Sequence, residues 1–154
     1  MMEYVRDNKQ QGDVYFLLVT VPELSKFPRG SRESDFQPLS DKRRDPQMLP
    51  VDLERFRLTT GAPIFVDFKS VPYRDVDVLA WRARLERLKK VRDALKNRRL
   101  DEAREELRQA AVTHLVLPAR EGLPRVEWAD EVHRDDYYRV YRLHLEPRRA
   151  GAVR

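Results

Sequence analysis

With 154 residues, 41% of them hydrophobic and 37% charged, the chain is long enough for one domain with a core of its own. It has no cysteine, which excludes a disulfide framework, a thiolate metal site and a cysteine nucleophile. The formal charge of +5 (31 Lys and Arg against 26 Asp and Glu) suits phosphate-bearing partners or an anionic membrane surface, yet is also ordinary for an arginine-rich protein.

In chain order, residues 1–11 read as a short helix stopped at Gly12. Val14 to Val19 is an unbroken apolar run rich in β-branched and aromatic residues, the pattern of a strand buried on both faces. From Thr20 to Pro50 no periodicity survives. Pro22, Pro28, Pro38, Pro46 and Pro50 disfavour helix and central strand alike. That stretch reads as a long loop or insertion, disordered or loosely docked rather than a lid.

Asp52 is placed to cap a helix over Leu53 to Thr60, and Gly61 suits the left-handed position that ends it. Pro63 opens a second core strand, Ile64 to Phe68. Asp75 then caps a long helix with Val78, Trp81, Leu85, Leu88 and Leu95 on one side, broken at Asn97 to Arg99. Asp101 caps another, with Ala103, Leu107 and Ala110 inward and acidic residues at its positive end. Val112 to Leu117 is the third core strand. Val126 to Trp128 and Tyr137 to Leu145 read as an antiparallel pair joined by the polar segment 130–136.

Strand and helix alternation of this kind predicts a single α/β domain over 1–146, followed by a basic disordered tail, 147–154. The expected architecture is a three-layer sandwich. Its sheet is mostly parallel, about three parallel strands plus an antiparallel closing hairpin, with helices on its faces. It is Rossmann-like without the nucleotide fingerprint.

In such sheets ligands sit beyond the carboxyl ends of the strands. Asp67, Lys69 and Ser70, with Arg74, Arg120 and Arg57, are therefore the candidate ligand-binding residues. The cations suit an anion, and Asp67 can orient one of them or act as a base. The competing reading is a salt bridge from Asp67 to Lys69 or Arg57 that merely satisfies the rim. No glycine-rich phosphate loop, nucleophile elbow or histidine pair at metal-binding spacing is present, so no cofactor, metal or catalytic residue is expected. His114 reads as a structural histidine, and Trp81 and Trp128 as core aromatics. The mixture of tyrosine and arginine over 137–142 is found on single-stranded nucleic-acid platforms, but an amphipathic edge strand explains it equally well, and nucleic acid is not the favoured partner.

The runs Pro50 to Arg57, Thr60 to Ser70, Pro72-Tyr73 and Trp81 together resemble an uncharacterised bacterial domain. It is the C-terminal soluble tail of multi-pass membrane proteins that are themselves similar to GT-C-type glycosyltransferases acting on lipid-linked sugars. Val5 to Asn8, Thr113 to Pro118 and Tyr138 to Leu143 are similar to its flanking segments, although Lys9-Gln10 stand where that family usually has Thr-Pro. The resemblance covers roughly residues 4–143 and carries no catalytic residue, because the family's catalytic aspartates lie between membrane helices. It implies a non-catalytic binding or scaffolding domain in contact with a phosphorylated sugar-lipid head group, a partner protein or a membrane surface. The alternatives are a small transferase using Asp67 and Lys69 on an anionic substrate, and nucleic-acid binding. As written, with no apolar run near the ~18 residues of a membrane span and no secretory signal, the chain is expected to be soluble and cytoplasmic. As part of a longer membrane protein it would be extracytoplasmic and membrane-associated.

Overall fold

A computed structural model describes residues 1–18, 53–67, 72 and 74–145. The expected loop over 20–50, the basic tail, Asp52, Lys69 and Ser70 lie outside the described residues. The elements are α1 (Met2–Asn8), β1 (Tyr15–Leu17), α2 (Leu53–Thr60), α3 (Asp75–Lys96), α4 (Leu100–Gln109), β2 (His114–Pro118), β3 (Ala129–Arg134) and β4 (Tyr138–Leu143).

The fold is α/β, with helices and one four-stranded mixed sheet in the order β1-β2-β4-β3. Among the described strands β1 and β2 pair in parallel, whereas β2 with β4 and β3 with β4 are antiparallel. This corrects the expectation of a mostly parallel sheet. The segment expected as the second strand forms a single parallel bridge, Ile64 to Tyr15. Its two hydrogen bonds run from the Tyr15 amide to the Pro63 carbonyl and from the Phe65 amide to the Tyr15 carbonyl, both 2.9 Å. Gly61 and Pro63 leave no room to lengthen it upstream: Gly61 is still ending α2 and Pro63 has no amide to give a ladder.

The closing antiparallel pair is present, but one of its strands is displaced. Val126 to Trp128 make an isolated bridge and a turn, whereas Ala129–Arg134, within the segment expected to be a connection, is the strand. β3 is an edge strand whose polar side chains remain largely in solvent, so it lacks the apolar run that marks a buried strand. A register irregularity between Glu131 and His133 further blurs its alternation.

The core gathers Phe16, Leu115, Val116 and Val140 from the sheet with Phe56 of α2, Leu88 and Val91 of α3 and Leu107 of α4. Leu85, Leu88, Val91 and Ala94 are the buried residues of α3; their three-residue spacing drifts slowly around the helix and keeps one side inward. Arg74 and Arg99, rather than Asp75 and Asp101, occupy the N-cap positions of α3 and α4, and the acidic residues sit in the first turns. There they oppose the positive end of the helix dipole without capping it.

Candidate functional site

Asp67 follows the Ile64 bridge and is 7% exposed. Its carbonyl accepts a 2.8 Å hydrogen bond from the Trp81 indole, fixing the chain against the start of α3. Trp81 is half-buried against the core and Trp128 is buried within it, as expected of core aromatics. Arg74 heads the same helix, but its guanidinium is 78% exposed and donates to Asp77 at 2.6 Å. That i,i+3 pair is local to the helix and worth a few tenths of a kcal/mol, about the size expected of an exposed ion pair. Arg57 is exposed on α2 and forms no ion pair among the described residues, so the salt bridge to Asp67 envisaged from sequence is not its role. Arg120 stands exposed in the turn after β2. β1 lies between β2 and the Ile64 bridge, so Arg120 and Asp67 leave the sheet two strand spacings apart, on the order of 10 Å. The structure thus sets Asp67 and Arg74 at one helix end and Arg120 at a neighbouring rim position.

The loop carrying Arg120 is itself tied down. The Arg139 side chain donates from Nε to the Ala119 carbonyl at 2.9 Å and from Nη1 to Glu131 at 3.3 Å. The Tyr141 hydroxyl donates to Glu131 at 3.1 Å and accepts from the Leu123 amide at 3.1 Å. Burial raises the Tyr141 pKa above that of an ordinary phenol. A Cβ on Gly122 would crowd the Arg139 guanidinium, so a larger residue there would push that side chain out of its place in the network. Sequence reasoning missed the network; its signal was the i,i+2 spacing of Arg139 and Tyr141, which puts them on one face of a strand. In the same packing Tyr138 and Tyr141 are buried, leaving Tyr137 as the exposed ring of the run.

Three further groups of contacts surround the histidines. His114 is buried and stacked on Tyr15, ring centroids 4.6 Å apart, with Nδ1 2.9 Å from the Thr113 hydroxyl and 3.7 Å from Asp13. Burial lowers its pKa and pushes the Tyr15 phenol up to about 12. His133 stacks on Tyr4 of α1 at 4.5 Å and lies 3.6 Å from Asp135. His144 pairs with Asp130 at 2.7 Å. Among the described residues no three His, Cys, Asp or Glu gather as a metal site, and no helix is long and apolar enough to cross a membrane.

Among the described residues four large apolar side chains are exposed. Leu58 on α2 is 87% exposed, Val76 and Leu79 on α3 are 68% and 69% exposed, and Tyr137 is the fourth. Residues 47–88, which include the first three and Asp67, match a family described as a domain of unknown function (DUF6798). No curated protein and no solved structure matches the chain.

Proposed function

We propose that this chain is a non-catalytic binding or scaffolding domain working at a membrane surface, as the soluble tail of a GT-C-like membrane protein would. The observation that carries the reading is the set of outward apolar side chains Leu58, Val76 and Leu79, all within the family-matched segment. Val76 and Leu79 are three residues apart and share one side of α3. Leu79, Ala83, Glu86 and Lys90 continue as an exposed stripe at helical spacing, with Arg82 exposed beside it. Apolar residues beside exposed basic ones suit a helix lying on anionic head groups, where each adds to an otherwise modest surface affinity. The net charge of +5 acts in the same direction.

Co-sedimentation of the purified chain with phosphatidylglycerol-containing and purely zwitterionic vesicles tests this. Binding to the anionic vesicles, weakened by added salt and lost in Val76→Ser/Leu79→Ser, is the expected result. Equal indifference to both vesicle types would remove the membrane surface and leave a protein partner as the occupant of that face.

A second reading, a small transferase acting on an anionic substrate, is favoured by the buried carboxylate of Asp67 at a strand end. Asp67→Asn, with folding retained, should then abolish turnover of a phosphorylated donor while leaving vesicle binding intact.

A further inference from the structure

At the amino-terminal end of the parallel strands, away from Asp67 and Arg120, the described residues line a groove of about 500 Å³, within the size range of small-ligand sites. Val14, Ile64 and Phe65 give it apolar surface, and Ala83, Arg84 and Arg87 of α3 form one wall. The two arginines differ. Arg87 is half-buried, 3.1 Å from Glu106 and donating to Gln109 at 3.2 Å. Arg84 is exposed and has no hydrogen bond or ion pair among the described residues.

The electrostatics favour an anion. None of the described residues lining the groove is acidic. The nearby Glu106 is shared between Arg87 and Lys90, the latter at 3.8 Å. The end of α4 also reaches the groove through Gln109 and Ala111, and bare carbonyls there would repel negative charge. Two of those carbonyls are already engaged: Leu107 accepts from the Val112 amide at 3.3 Å and Arg108 from Ala111 at 3.0 Å. A guanidinium with its donors unspent beside an apolar floor matches a ligand with two unlike ends. The fork binds a carboxylate or phosphate, and the floor takes up an apolar body.

We propose that this groove binds a small amphipathic anion, a carboxylate or phosphate monoester on an apolar body, with Arg84 as its principal anion contact. The groove shares Ala83 with the exposed stripe of α3, but its anion contact, Arg84, and its apolar floor lie outside that stripe, and it does not depend on the membrane reading.

The test is a titration of the whole chain with octanoate and with phenyl phosphate, both below micellar concentrations, followed by amide chemical shifts. Octanol and acetate serve as the two half-ligands. Saturable binding of octanoate or phenyl phosphate, with shifts centred on residues 63–65 and 83–87 and little response to either half, is expected. Preference between the two probes tells an acyl carboxylate from a phosphate monoester. Arg84→Gln should weaken binding about tenfold, as loss of a charge-assisted hydrogen bond does, and Ala83→Trp should block the groove. Both positions are exposed, so the folded state should survive, and unchanged thermal unfolding verifies it. The proposal is overturned if neither probe saturates, if shifts lie elsewhere, or if Arg84→Gln binds as tightly as the parent chain. A failure of vesicle binding leaves it untouched.

Discussion

At the scale of single residues, the end of α2 illustrates how few atoms decide a local structure. Thr60 is buried; its hydroxyl donates to the Phe56 carbonyl at 2.7 Å and accepts from the Ala62 amide at 3.0 Å. Gly61 takes φ +63° and returns its amide to the Arg57 carbonyl at 2.8 Å. Thr60→Val keeps the shape but strands the Ala62 amide, which should cost about 1–3 kcal/mol in a urea titration. A loss below about 0.5 kcal/mol would mean that water replaces the hydroxyl.

His114 carries the pH prediction. Burial lowers its pKa in the fold, while the unfolded side chain titrates near the ordinary value of about 6.5. Above that pH the ring is neutral in both states and its contribution is fully present. As pH falls below it the unfolded chain takes up the proton first, so stability drops until the lowered folded pKa is passed. Denaturation midpoints at pH 7 and pH 5 should therefore differ more in the parent chain than in His114→Gln. Equal differences would show that this ring titrates normally.

At the scale of elements, α3 and α4 end alike, on a residue type that sequence rules do not anticipate. Arg98 at φ 56° and Ala111 at φ 51° occupy the left-handed position that usually belongs to glycine. Around Arg98 the amides of Arg98 and Arg99 return to the carbonyls of Leu95 and Ala94, at 3.1 and 2.8 Å, the paired bonds of a Schellman ending. A non-glycine residue there costs roughly 1–2 kcal/mol. Arg98→Gly should therefore raise stability by about 1 kcal/mol despite the greater freedom glycine gives the unfolded chain. An unchanged or lower melting temperature would mean that the Arg98 side chain has contacts that offset the strain. The break at Asn97 to Arg99 was legible because three polar residues end the apolar face, whereas its geometry was not. In the same way β1 and β2 announce themselves by continuous apolar runs, and β4 by tyrosine, valine and leucine interleaved with arginine. β3 does not, because half of an edge strand faces water and Asp130-Glu131 look like loop residues. The candidate rim fared unevenly for a related reason. Residue type could tell neither that Asp67 is buried nor that Arg74 spends its charge on Asp77, one turn along its own helix.

At the scale of the molecule, the amino-terminal helix is joined to the closing hairpin through one carboxylate. Asp135 lies between β3 and β4, and its Oδ1 accepts from the amides of Tyr137 and Tyr138 at 2.9 and 2.7 Å. Its Oδ2 meets the Met1 ammonium at 2.6 Å, while Tyr4 of the same helix stacks on His133. Burial opposes ionisation of Asp135, but the ammonium and the two amides outweigh it and hold the carboxyl below the usual aspartate range. Its contribution is therefore complete above the unfolded aspartate pKa of about 3.9 and is lost as pH falls through the lower folded value. Asp135→Asn keeps an acceptor for the amides but removes the charge that faces the ammonium. It should destabilise the chain at pH 7 by about 1 kcal/mol, a discount for the partial exposure of the pair. The deficit should shrink as pH is lowered toward 3, where the parent loses the same charge. Hydrogen exchange would show where the loss falls: faster exchange in α1 and in the Asp135–Tyr138 turn, with β1 and β2 unchanged, is the outcome expected if this carboxylate is what fastens α1 to the closing hairpin. Uniformly faster exchange would instead make the hairpin and the core one cooperative unit.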